Sequence, residues 1–327
     1  MSLYRKILKQ AFSLSWKNKY LWFFGLFAAL ILKGEYEIIF NTSSGSQDFL
    51  AGIKNFLSTN IFTGTSLGAI KNFMLDKPGS FILSIIIILI ILALLLFLLW
   101  LVVISEAALV NNSSEILTGK KNDLKEGVRS GMKNFWPILG YSVLIRFVIF
   151  LGLFLVSVPV MIGAAKLSAI SSNFLYVIFF IIFLPIIISI SFIIKYAIAF
   201  KVIKNSRFFD AIKEGWNLFT ANWLVSLEMA FILFFITFVI TLVTALLWYV
   251  LAVPSMFLAV LTSYAAPYTS FWLLYLFPRI LYLIVIAIVG AMLATFQISA
   301  WTGLFIELIG KGATSKISRI FNNIVNR

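Results

Sequence analysis

Five stretches of this chain run for 20 residues or more with at most two charged side chains each. About 20 apolar residues are what a helix needs to cross the ~30 Å hydrocarbon layer of a bilayer. The stretches are 81–104, with Ser84 as its one polar residue; 138–158, with Arg146; 174–194, with Pro185 near its middle; 223–253, with Glu228; and 279–309, with Gln297 and a terminal Glu307. Hydrophobic residues make up 62% of the 327 positions and charged residues 12%. A soluble domain is nearer half apolar and about a quarter charged, and no water-soluble core of this length buries so much apolar side chain. The solvent this sequence requires is lipid, and the fold class is an all-α integral membrane protein.

A sixth apolar run, 20–32, has only 13 residues, about 20 Å of helix. The distribution of Lys and Arg decides whether it crosses, because these residues concentrate on the cytoplasmic side. If it crosses, 1–19, 105–137, 195–222 and 311–327 share one side with 19 Lys/Arg, against 5 in 33–80, 159–173 and 252–271. If it does not, the division is only 14 against 10. Six transmembrane helices with both termini cytoplasmic are therefore expected, the first short enough to need local thinning of the bilayer. Lys33-Gly34-Glu35-Tyr36-Glu37 follow this run where a signal peptide would carry small residues, so the first span is expected to stay. The net charge of +14 reads as cytoplasmic segments facing anionic lipid headgroups rather than nucleic acid, because no basic domain separates from the apolar stretches. A vocabulary rich in Lys and Ile points to a bacterial chain, and so to the bacterial cytoplasmic (inner) membrane.

Three segments align without gaps ahead of the first, third and fifth spans. They run Leu8-Lys9-Gln10-Ala11 to Asn18, Leu124-Lys125-Glu126-Gly127 to Asn134, and Ile212-Lys213-Glu214-Gly215 to Asn222. Aromatic residues follow each, at Tyr20 and Trp22, Phe135 and Trp136, and Trp223. Each segment is amphipathic at helical spacing. Leu3, Tyr4, Ile7, Leu8 and Ala11 oppose Arg5, Lys6, Lys9 and Gln10. Leu124, Val128, Met132 and Phe135 oppose Lys125, Arg129 and Lys133. Phe208, Phe209, Ile212, Trp216 and Phe219 oppose Arg207, Lys213 and Glu214. Basic amphipathic helices of low net hydrophobicity lie in the interface plane. Asp123 with Glu126 supplies a start signal for the second. An Asn in the left-handed conformation is expected to end each helix and turn the chain into the membrane. The unit is thus an in-plane helix, a span out, an outer loop and a span back. It occurs over 1–116, 117–205 and 206–327 of a single membrane domain, 1–327, and is compatible with threefold pseudosymmetry. The first outer loop, 33–80, holds a small duplication, Gly52-Ile53-Lys54-Asn55-Phe56-Leu57 and Ala69-Ile70-Lys71-Asn72-Phe73-Met74. It predicts two short surface helices there.

The Lys213-Glu214-Gly215-Trp216 … Asn222-Trp223 pattern, best in 211–223 and weaker in 124–136 and 8–22, resembles the membrane domains of bacterial glycerophosphoryl diester phosphodiesterases and their relatives. The resemblance implies a multi-pass membrane part that sometimes accompanies a soluble catalytic barrel. That barrel works through histidines and metal-binding carboxylates, and this sequence has no histidine. The resemblance therefore carries over no phosphodiesterase activity and no functional residue.

With neither Cys nor His in the sequence, thiol nucleophiles, disulfides, Cys/His zinc sites and histidine acid–base chemistry are excluded. The remaining candidates are few. Arg146 within a span costs about 2.5–3.5 kcal/mol on insertion scales. It is expected either to pair with Glu228 in a parallel span or, with Glu228, to reach separately for headgroups. Gln297 has the reach to hydrogen-bond across helices, and Ala287, Gly290, Ala291 and Ala294 form a small-residue face suited to close packing. Thr237, Thr241 and Thr244 share a face, with bonds to their own helix carbonyls the expected fate. Gln10, Asn18, Glu126, Asn134, Glu214 and Asn222 are the polar positions the three units have in common. Glu35 and Glu37 form a Glu-x-Glu on the outer side, more readily solvated than metal-bound. No metal or cofactor is expected. The functional expectation is a non-enzymatic accessory, scaffold or lipid-handling component with anionic lipid headgroups as partners. A small-solute transporter or channel ranks second, and a metal-dependent membrane enzyme third.

Overall fold

The computed structural model describes residues 3–29, 71, 74–76, 78–120, 122–166, 169–263 and 268–311, which are helical almost throughout, with no strand among them. The helices are α1 (Leu3–Lys17), α2 (Leu21–Ala28), α3 (Pro78–Leu117), α4 (Leu124–Lys133), α5 (Phe135–Lys166), α6 (Ala169–Lys204), α7 (Phe208–Ala221), α8 (Trp223–Ser263) and α9 (Tyr268–Lys311). The surface helices expected in 33–80 fall almost wholly outside the described residues, as do Glu35 and Glu37.

Five helices, α3, α5, α6, α8 and α9, are long and apolar enough to cross a membrane. Their large side chains face outward: Ile88 of α3, Phe257 of α8 and Phe277 of α9 are 62%, 65% and 66% exposed. Continuous apolar exteriors of this kind are stable only in lipid. Helix α2 has 8 residues, about 12 Å, and the last three residues of its apolar run, 30–32, lie outside the described residues.

The helices outrun the apolar stretches. Helix α3 continues past residue 104 through Asn112 and Ser113, both fully buried, and α9 begins well before residue 279 and runs through Pro278. A helix extends through polar residues when neighbouring helices bury them and take up their hydrogen bonds. Helix α6 likewise runs through Pro185, whose carbonyl accepts a bond from the Ser189 hydroxyl at 2.8 Å.

The chain divides into two compact units. One comprises residues 1–32, 102–138 and 192–327, and the other 33–101 and 139–191. The second is apolar and largely exposed where described, with Gly152 of α5 facing the Ile187 side chain of α6 at about 3.1 Å from where a Cβ would stand.

The first unit holds the core, centred on the second half of α9. From Ala291 to Leu308 buried residues occur all round this helix, among them Ala294, Thr295, Gln297, Ser299, Trp301, Leu304 and Phe305. A helix buried on every side has neighbours on every side. Helix α2 approaches at Gly25, beside the Ala291 carbonyl and the Thr295 hydroxyl, and that hydroxyl bonds Leu21 O at 3.2 Å. Helix α1 approaches through Ser15, whose hydroxyl donates to Met292 O at 3.3 Å. Helix α3 contributes Ser113, 2.9 Å from the Ser299 hydroxyl. Helix α6 stacks Tyr196 on Phe305 and sets Phe200 edge-on to the same ring, with Phe192 against Trp301. From α8, the Thr237 hydroxyl takes a bond from Gln297 Nε2 at 2.6 Å.

Two glycines separate packing from mere composition. A Cβ on Gly25 would overlap the Ala291 carbonyl and the Thr295 hydroxyl, whereas a Cβ on Gly290 would meet nothing within 4 Å. We expect Gly25→Val to destabilise the purified protein by about 1–3 kcal/mol or more through overpacking, read as a lowered melting temperature in detergent. Gly290→Ala, one residue before Ala291 but with open space at its Cβ, leaves it unchanged.

Candidate functional site

The residues that repeat in sequence make the same bonds in space. Asn18, Asn134 and Asn222 each stand where a short helix ends. In each the backbone N–H bonds the carbonyl four residues back (Leu14, Ser130 and Leu218) at 3.1 Å. In each the side-chain Nδ2 bonds that same carbonyl, at 3.0, 3.1 and 3.1 Å. The carbonyls of Asn134 and Asn222 then accept from the N–H of Ile138 and Ser226, beginning the next helix. The left-handed turn expected of these residues does not occur. Asn134 has φ −102° and Asn222 φ −133°, and the one non-glycine residue of positive φ among those described is Asn205. The side-chain amide supplies the donor that closes the last turn, so the backbone has no need of the left-handed region.

The small residue of each segment is a contact point. Ala11 is 1% exposed. A Cβ on Gly127 would meet the Asn112 amide at 2.6 Å, and one on Gly215 would meet the Ile193 carbonyl of α6 at 2.8 Å. The expected apolar faces are therefore divided. Glycine and alanine positions sit against a long helix, while Leu124, Met132, Phe209 and Trp216 stay exposed. The polar members take local roles. Asp123 caps α4 by accepting from Glu126 N at 3.0 Å, Glu214 accepts from the Ser206 hydroxyl at 3.0 Å, and Gln10 is exposed.

Helix α1 is the most elaborated of the three. Ile7, Ala11, Leu14 and Ser15 are buried, with Ile7 lying over Gly303 of α9. The Tyr4 hydroxyl donates to the Glu228 carboxylate of α8, and Lys6 Nζ lies 3.4 Å from the Glu307 carboxylate of α9. The adjoining sector of the helix, Tyr4, Arg5, Leu8, Lys9 and Phe12, covers about 140° at 100° per residue. It lines a cavity of about 660 Å³ whose other walls are Ile232, Ile236 and Ile240 of α8 and Met292, Leu293 and Phe296 of α9. Arg5 and Lys9, set opposite Tyr4 and Leu8 in the sequence reading, thus border the same cavity as those residues.

The remaining candidates are dispersed. Arg146 is exposed on α5 and belongs to the second unit, whereas Glu228 belongs to the first, where its hydroxyl partner is Tyr4. Of the small-residue face, Ala291 and Ala294 are packed, and Ala287 and Gly290 are partly exposed. Thr237 and Thr244 bond their own helix at Leu233 O and Ile240 O, at 2.8 and 2.7 Å, so the Thr237 hydroxyl donates to its own helix while accepting from Gln297. Thr241 is exposed. Sequence reasoning missed three cations over aromatic rings: Lys195 Nζ is 4.6 Å from the Trp301 ring centroid, Lys204 Nζ 5.4 Å from that of Phe200, and the Arg279 guanidinium 5.7 Å from that of Trp248. It also missed Tyr4, whose only signal is a hydroxyl on an otherwise aliphatic face.

Comparison with known families, curated proteins and solved structures yields no match.

The Tyr4–Glu228 contact is a hydrogen bond to an ionisable group, a class worth about 1.5–3 kcal/mol. Tyr4→Phe and Glu228→Gln are each expected to lower the melting temperature. The double variant should cost less than the sum of the two, with a coupling of about 1 kcal/mol or more. Strict additivity would show that the hydroxyl does not hold α1 to α8.

Proposed function

We propose that this chain is a non-enzymatic membrane protein that handles lipid, or scaffolds a complex, at the cytoplasmic face of a bacterial inner membrane. The observation that carries this reading is α1 itself, a basic helix laid on α8 and α9 with an apolar cavity along its flank. Basic side chains near a membrane surface attract anionic headgroups, at about 1 kcal/mol per Lys or Arg, and an apolar wall beside them accommodates what those headgroups carry. The exposed apolar residues Phe12, Trp16, Met132, Phe209 and Trp216 on α1, α4 and α7 favour helices that lie in the interface plane.

The architecture we assign to this function has six spans, α2 being the first, in three units of in-plane helix, span and returning span. Both termini are cytoplasmic. The support is the Lys/Arg asymmetry together with the identical bonding of Asn18, Asn134 and Asn222. The same pattern carries the likeness to the membrane domains of glycerophosphoryl diester phosphodiesterases, read here as a likeness of membrane architecture without the phosphodiesterase reaction.

The sequence holds no cysteine, so sidedness is testable one residue at a time. Lys9→Cys, Lys125→Cys and Lys213→Cys are expected to react with an impermeant maleimide only from the cytoplasmic side, and Lys166→Cys only from the outside. Mass spectrometry of the gently purified protein then reads its role. Enrichment of anionic phospholipid over the bulk membrane supports lipid handling, and a stoichiometric protein supports a scaffold. The absence of both would overturn this reading.

A further inference from the structure

We propose that the cavity between α1, α8 and α9 is a binding site for one anionic phospholipid of the membrane. The phosphate would lie on Arg5 and Lys9, and an acyl chain along Ile232, Ile236 and Ile240. This rests on the lipid-handling reading and deepens it to a single site.

The walls specify the occupant. The three isoleucines recur every four residues on one face of α8, an apolar track about 12 Å long at 1.5 Å per residue. Met292, Leu293 and Phe296 of α9 form the opposite wall. A volume of about 660 Å³ falls within the roughly 300–1,000 Å³ typical of small-molecule clefts. Two cations one helical turn apart, both exposed, stand at its border on α1. Apolar walls with a positive rim complement an amphiphile of net negative head, whereas a zwitterionic lipid presents its phosphate to the same cations together with a cation of its own. Glu228 accepts from the hydroxyl of Tyr4, which lines the same cavity. Lys6, the neighbouring cation, lies against Glu307. Along α1, Tyr4 and Lys6 contact the carboxylates of Glu228 and Glu307, and Arg5 and Lys9 border the cavity.

The test is native mass spectrometry of the delipidated full chain titrated with dioleoylphosphatidylglycerol, dioleoylphosphatidylcholine or inorganic phosphate. The wild type is expected to take one phosphatidylglycerol at least tenfold more tightly than phosphatidylcholine. Arg5→Gln/Lys9→Gln should abolish that preference. Ile236→Trp, which fills the apolar track, should weaken binding of both lipids at that site at least fivefold. Lys125→Gln/Arg129→Gln on α4, matched in charge removed, should leave the tight site intact. A melting curve of each lipid-free variant identifies any that fails to fold, and Ile240→Trp then replaces Ile236→Trp. Unchanged binding in both cavity variants overturns the proposal, as does competition by inorganic phosphate at equal concentration. If the α4 variant alone loses the lipid, the chain still selects anionic lipid and only this cavity is excluded. No selectivity in any variant would overturn the lipid reading as well.

Discussion

The second half of α9 is enclosed by five other helices, and almost everything positioned in the first unit is positioned against it. Enclosure of a helix within a chain that lives in lipid has a strict requirement: each neighbour must come close without leaving a polar atom stranded. Small and hydroxyl-bearing residues meet it. Gly25 admits the α9 backbone, Ser113 and Ser299 share a hydrogen bond, and Thr295 reaches both its own helix and Leu21. Bulk enters where α6 brings Phe192, Tyr196 and Phe200 against Trp301 and Phe305, and where Ile7 of α1 lies over Gly303.

The large divisions of the fold were legible because they depend on length and polarity alone. Runs of 20 apolar residues become long helices, and Asp123 with Glu126 begins α4 at the expected position. The three Asn residues were legible as helix ends but not as the kind of end they make. Left-handed φ is one way to stop a helix, and an amide donating to the carbonyl four residues back is another; the sequence is the same for both. Helix length was under-read wherever polar residues continue a span, as Asn112 and Ser113 do in α3, since burial by another helix is a tertiary fact. The candidate site was less legible still. Arg5 and Lys9 read as a polar face in isolation. They border a cavity only because α8 places an isoleucine every turn across from them.

Several charges within or beside the apolar stretches have local partners. Arg279 lies over Trp248, Lys195 over Trp301, and Glu228 receives the Tyr4 hydroxyl. An aromatic face attracts a cation while giving up none of its own apolar area, and a tyrosine hydroxyl supplies a carboxylate with a donor without introducing a second full charge. Partners of this sort lack the coulombic signature that leads a reader of sequence to look for opposite charges.

The joint between α7 and α8 is a single residue, Asn222, and that brevity sets how such a chain can change over time. With no slack in the joint, inserting one residue turns every face of α7 by about 100° relative to α8, carrying Gly215 off the Ile193 carbonyl and an aromatic side chain onto it. A joint of this kind tolerates substitution far better than a change in length. Insertions and deletions are accommodated where the chain has room for them, and the spacing from small residue to Asn is the same seven positions in all three segments.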